Sequence, residues 1–189
     1  MLQAGIWRHS GGALQRIEST DKKRFLLVLA VLAVSAPAQG QTPPTAAPAA
    51  TPAPASYGAP IGLEAAQALI DRAIEAGRAR GFRLAIAVVE PSGELVAFGR
   101  MDDVQYGSIN VAQDKARSAA RFRSSSASAE ERLAGGRISL LAIDGIMPVA
   151  GGVPIVVDGR VVGAIGVSGA SSAQDDEVAR AAIAAALGG

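Results

Sequence analysis

Arg100, Met101, Tyr106, Lys115 and Ser118 are the side chains in this sequence best equipped for chemistry. Arg100-Met101-Asp102 closes an apolar run, which sets a guanidinium at a strand end. There it can hold a carboxylate through two parallel, charge-assisted hydrogen bonds. The alternative is an ion pair with Asp102 or Asp103, with Met101 in the core. Lys115 and Ser118 lie three residues apart, so they share one face of a helix. Lys115 either meets an anionic group of a ligand or pairs with Asp114 or a carboxylate of the sheet. Tyr106 stands just ahead of that helix, as a phenol donor or as a packed lid. Asp175, Asp176 and Glu177 open the last helical run, where acids offset the helix dipole. They read as capping rather than as metal ligands.

The missing residue types narrow the chemistry further. There is no cysteine, which removes disulfides, thiolate metal sites and thiol nucleophiles. The one histidine is His9. If the N-terminus is removed, the usual general base, zinc ligand and proximal iron ligand go with it. Ser168 sits in Gly-x-Ser-Gly, short of the Gly-x-Ser-x-Gly of a nucleophile elbow, and has no base to serve it. Hydrolysis is therefore excluded. The glycines from Gly151 to Gly169 lack the Gly-Lys-Ser/Thr ending of a phosphate loop. They read as turn geometry and close helix–sheet packing, the alternative being a close backbone approach to a flat ligand. Aromatics are only 4% of the chain, too few for base-stacking platforms. Residues 1–38 hold five of the 18 basic and two of the 17 acidic residues, so the rest carries 13 and 15, a net of −2. That leaves no basic footprint for nucleic acid.

The elements that must position these side chains follow in order. Residues 1–20 carry no sustained apolar period and read as disordered, or as lying ahead of the true start. Lys22-Lys23-Arg24, the apolar run Phe25–Val34 and Ser35-Ala36-Pro37-Ala38 have the three parts of a secretory signal, cut before Gln39. The run is ten residues, half of the ~20 needed to span a bilayer, so no stable membrane span is expected after cleavage. Residues 39–60, rich in Pro, Ala and Thr, read as a disordered linker, with Tyr57 in it. The folded domain is placed at 61–189.

Leu63, Ala66, Ile70, Ala73 and Ile74 recur at helical spacing, and Gly81 stops that helix. Leu84–Val89 and Glu94–Met101 form a hairpin across Glu90-Pro91-Ser92-Gly93. A helix from Ser108 or Asn110 to about Phe122 has a small-residue face (Ile109, Ala112, Ala116, Ala119, Ala120). Ser128–Leu133 reads as a short helix with a Ser128/Glu131 capping box, and 135–150 as a loop with a short strand near Met147–Ala150. Two β-branched runs around Asp158-Gly159 give a second hairpin, because a type I′ turn needs φ > 0 at both central positions. An Ala-rich helix closes the chain. This order makes a mainly antiparallel α+β domain with helices on both faces.

Ala87-Val88-Val89-Glu90-Pro91-Ser92-Gly93, Arg100-Met101-Asp102, Asp114-Lys115-Ala116, Gly151-Gly152-Val153-Pro154 through Ser168-Gly169, and Gln174-Asp175 together resemble the GlcG/HbpS haem-binding family. The resemblance covers about Ile61 to Leu187. It implies a profilin-like fold, a five-stranded antiparallel sheet with helices on its faces. It also implies homo-oligomers, often octamers, and haem or a related tetrapyrrole as cofactor. On that reading Arg100 and Lys115 meet propionates, Met101 and Tyr106 are candidate contacts to the macrocycle or iron, and Ser118 stands where the family has a threonine, whose hydroxyl the resemblance makes a weak contact to the iron. The function expected is an exported, periplasmic or extracellular haem-binding protein. The alternatives are a haem-degrading or small-metabolite enzyme, or a non-catalytic sensor-partner or assembly module.

Overall fold

The computed structural model describes residues 53–188. The readings of residues 1–38 as extension and signal, and most of the linker, lie outside the described residues. The element order is β1 (Ser56–Tyr57), α1 (Leu63–Ala79), β2 (Ala85–Val89), β3 (Leu95–Arg100), α2 (Gly107–Phe122), α3 (Ser126–Ala134), a 3-10 helix (Ile138–Ala142), β4 (Gly152–Val157), β5 (Arg160–Ser168) and α4 (Ser172–Leu187).

β2 is apolar at every position and buried at every position. A strand of that kind needs a cover on both faces. Its alternation shows how the two covers differ. Ile86 and Val88, with Ile155, Ile165 and Val167, face a cluster that includes Leu69, Ile70 and Ala73 of α1 and Val178, Ala179 and Ala182 of α4. Ala85, Ala87 and Ala164 face Ala112, Ala116, Ala119 and Ala120 of α2. The molecule is thus three layers: α2, the sheet, then α1 with α4. The branched-chain face carries most of the hydrophobic stabilisation, at roughly 1.5–3 kcal/mol per buried Leu, Ile or Val. The alanine face contributes closeness instead.

Gly166 makes that closeness necessary, because a Cβ there would stand 2.0 Å from the carbonyl oxygen of Ala112. α2 lies against the backbone of β5, and no side chain fits between them.

The sheet is five-stranded. β2 pairs antiparallel with β3 and with β5, and β4 pairs antiparallel with β5. The β4–β5 turn is Asp158-Gly159, both at positive φ (48° and 71°), as the sequence pattern requires. β1 pairs with β5 in parallel, Ser56 beside Arg160 and Tyr57 beside Val161. It continues the lane of β2 along the same edge of β5. The fifth strand is therefore not the one expected near Met147–Ala150. That stretch makes no strand, and the place is filled by residues read as linker. Their ordering is explained by bonds to β5: the Gly58 and Ile61 amides donate to the Val161 and Val162 carbonyls at 2.9 and 2.8 Å. A second boundary also moves. α3 starts at Ser126 and its cap is Ser125, whose hydroxyl accepts from the Ser128 amide.

One charged pair joins the outer layers. Lys115 of α2 and Asp175 of α4 are 1% and 2% exposed, with Nζ 2.8 Å from Oδ2. Lys115 Nζ also donates to the Val167 carbonyl of β5 at 3.0 Å. Asp175 Oδ1 accepts from the Ala170 amide at 3.0 Å. Gly151, at φ 120°, leaves room for the ammonium: a Cβ there would lie 2.9 Å from Nζ. The bridge passes from one face of the sheet to the other beside Gly151 and Gly152.

Two stability measurements check this architecture by urea unfolding. Gly166→Ala should lose about 3 kcal/mol or more through overpacking against backbone, whereas Gly107→Ala, with open space at its Cβ, should be neutral or gain up to about 1 kcal/mol. Lys115→Met should cost about 3–5 kcal/mol by stranding a buried carboxylate, and adding Asp175→Leu should restore a large part of it.

Candidate functional site

Two clefts among the described residues each gather three guanidiniums. The first lies at the end of β3, holds about 500 Å3, and is lined by Arg78, Arg83 and Arg100 with Ile74, Met101, Asp102 and Asp103. Its three guanidiniums face two carboxylates, a formal balance of +1. The second lies where α2 ends, between α3 and the 3-10 helix, and holds about 580 Å3. Its cations are Arg123, Arg132 and Arg137, and no carboxylate lines it. Its apolar wall is Phe122, Leu140, Ile143 and Ile146. Phe122 and Ile143 are 39% and 43% exposed, so apolar surface is open to a ligand. None of the three arginines has a carboxylate within salt-bridge distance among the described residues.

The local chain explains this second cleft. α2 stops at Arg123, which takes the left-handed conformation at φ 51°. That conformation costs a side-chain-bearing residue about 1–2 kcal/mol. It reverses the chain and turns α3 back across the end of α2. Arg132 follows on α3, its Nε donating to the Ser128 carbonyl at 3.0 Å. Arg137 caps the 3-10 helix, whose Leu140 points inward at 2% exposure. The last turn of α2 is closed by Tyr57, whose hydroxyl donates to the carbonyls of Arg121 at 2.8 Å and Ala120 at 3.2 Å. Orphan carbonyls at a helix end need such donors.

The five residues singled out by sequence do not converge. Arg100 and Met101 share the first cleft, but Met101 is buried on the α1 side of the core. Tyr106 is 81% exposed and lines neither cleft. Lys115 is enclosed with Asp175, which read as a capping acid. The cap of α4 is instead the Ser171/Gln174 box. Ser118 is buried, and its Oγ accepts from the Met147 amide at 3.0 Å. Arg123, Arg132 and Arg137 were not singled out. No sequence window marks them: the three are spread over residues 123–137 with Glu130 and Glu131 between them, ahead of Leu140, Ile143 and Ile146 in a stretch with no clean period.

An apolar wall with several unpaired guanidiniums fits a flat, amphipathic molecule that bears carboxylates. No group of three or more His, Cys, Asp or Glu that could hold a metal ion occurs among the described residues. No described helix is long and apolar enough to cross a membrane.

Comparison with known proteins agrees with the layered fold. Protein GlcG of Escherichia coli K12 is 39% identical over 108 residues, 57% of this chain and 81% of its own. The crystal structure of HbpS superposes with a TM-score of 0.65 at 33% identity, covering 71% of this chain and 94% of that one. The crystal structure of a PduOC:heme complex shares the fold, with a TM-score of 0.62 at 23% identity over 68% of this chain and 95% of that one. The profilin-like α+β fold read from the sequence is the fold of these relatives. Residues 61–184 match the family described as haem degrading protein HbpS-like, and the chain belongs to that family.

Proposed function

We propose that the protein binds haem or a closely related tetrapyrrole, and that the cleft at the end of α2 holds it. The observation that carries this reading is the unopposed charge of Arg123, Arg132 and Arg137 beside an apolar wall. A haem presents an apolar macrocycle and two propionates. Phe122, Ile143 and Ile146 would cover part of the ring. The guanidiniums would pair with the carboxylates, at about 1.5–3 kcal/mol for each charge-assisted hydrogen bond. The cleft at the end of β3 is less suited, because Asp102 and Asp103 in its lining offset two of its three positive charges and only Ile74 and Met101 offer apolar surface.

The iron would supply redox chemistry when bound, but the α2 cleft offers it no strong donor. The lining has only the hydroxyls of Ser124 and Ser128 as uncharged side-chain oxygens. Affinity would then come from the rim and the ring rather than from an axial bond. Support at the level of kinship comes from the family description and from the PduOC relative solved with heme. We also propose that the chain is exported, on the basic, apolar and small-residue blocks of residues 22–38, and that it works as a homo-oligomer, as the family resemblance implies.

Hemin titrated into the purified protein should give a saturable Soret shift. Arg132→Ala with Arg137→Ala should weaken binding at least tenfold, and Arg100→Ala by less than twofold. The reverse ranking moves the site to the end of β3, and no saturation removes the reading. Loss of the Soret band on adding ascorbate in air would mark breakdown rather than holding. Export has its own check: N-terminal sequencing of protein from the periplasm or medium should begin at Gln39.

A further inference from the structure

The stretch that leads into the domain is a strap, and it takes hold of the most constrained arginine of the α2 cleft. Arg123 Nη1 donates to the Ala55 carbonyl at 3.2 Å. Its guanidinium lies over the Tyr57 ring, with Cζ 5.0 Å from the centroid. The Tyr57 hydroxyl is fixed to the carbonyls at the end of α2, and the Tyr57 backbone is paired with Val161 of β5. Pro54, one residue before Ala55, forms part of the cleft wall. A long, flexible cation is thus held by an aromatic face, by a carbonyl and by its own left-handed backbone.

We infer that Tyr57 is a positioning residue: it presets the Arg123 guanidinium for a carboxylate-bearing ligand, so residues 53–57 are part of the binding site. This rests on the tetrapyrrole reading and adds the device that prepares the site. The physical reason is entropy. A free arginine loses rotamer freedom when it grips a carboxylate, whereas one already stacked and bonded loses less. A guanidinium over a tyrosine face also gains a cation–π attraction while its remaining N–H donors stay free. The strap cannot act as an inert tether, since three of its residues touch the arginine or the cleft.

The experiment uses the full chain and two readouts. In the ligand-free protein, the Arg123 Nε–H proton resonance should be shifted upfield by the Tyr57 ring current in wild type and in Tyr57→Phe. It should return to the free-arginine position in Tyr57→Leu. Hemin affinity should fall about three- to fivefold in Tyr57→Leu, with Tyr57→Phe restoring most of it. Arg123→Gln should lower affinity about tenfold, and Tyr57→Leu should add nothing in that background. Hemin dimethyl ester, which has no free carboxylate, should not register the Tyr57 change. Equal losses for hemin and its ester, or additive losses in the double variant, would overturn the positioning role and leave Tyr57 as a structural prop. An unshifted Arg123 resonance in wild type overturns it as well. Wild-type protein with a shifted Arg123 resonance and no hemin saturation sinks the tetrapyrrole reading instead, while the resonance still decides the preset.

Discussion

The Lys115–Asp175 pair is the constraint around which the other packing choices align. Two unit charges at 1% and 2% exposure have given up their water, and desolvation of that kind costs several kcal/mol per ion before any return from attraction. Such a pair persists only if its remaining bonding capacity is met. Here the ammonium has the Val167 carbonyl, the second carboxylate oxygen has the Ala170 amide, and no buried side-chain polar atom among the described residues is left without a partner. Every alternative register of α2 or α4 strands one of these charges. The pair therefore specifies the arrangement more than it stabilises it.

That specification explains the division of labour between the two faces of the sheet. To bring Lys115 Nζ to Asp175, α2 must lie on the backbone of β4 and β5. A Cβ at Gly152 would stand 2.3 Å from the Lys115 carbonyl oxygen, and one at Gly166 would stand 2.0 Å from that of Ala112. The alanines of α2 and of β2 follow from the same demand. The opposite face has no such restriction and fills with Leu, Ile and Val. Once α2 is fixed, its end is fixed too, and with it the point where Arg123 leaves the helix and the chain doubles back to enclose a cleft.

Local patterns were legible in the sequence where neighbouring residues allowed one outcome; the cap of α3, read at Ser128 and formed by Ser125, lies in a run of serines that allowed several. The Asp158-Gly159 turn, the apolar run of β2 and the small-residue face of α2 all depend on a few consecutive side chains. The layered α+β class follows from their order. The partner of Lys115 did not, because it is 60 residues away and wears the pattern of a first-turn acid. The same limit applies to Tyr57. Its surroundings are Pro, Ala and Ser, a composition that argues for a mobile tether, and only the free edge of β5 beyond β2 gives it somewhere to dock. Arg123 was hidden for a third reason: a non-glycine residue in the left-handed region carries no sequence mark of its own. Long-range pairing, edge docking and backbone reversal are all properties of the folded chain rather than of its windows.

The absence of histidine and cysteine from residues 39–189 bears on how a tetrapyrrole would be held. A strong axial ligand concentrates affinity in one bond and fixes the iron's electronic state. A site made of guanidiniums and aliphatic side chains spreads the affinity over the edge and one face of the ring. It discriminates by carboxylates and shape, with little dependence on the metal. Preorganisation then matters more, since each rim contact is modest and any freedom lost on binding subtracts directly from it. A strap that stacks Arg123 before the ligand arrives is the kind of device such a rim requires. It also ties the cleft to the segment ahead of the domain, so on the proposed reading a chain trimmed past residue 57 would keep its three layers and lose the readiness of its site.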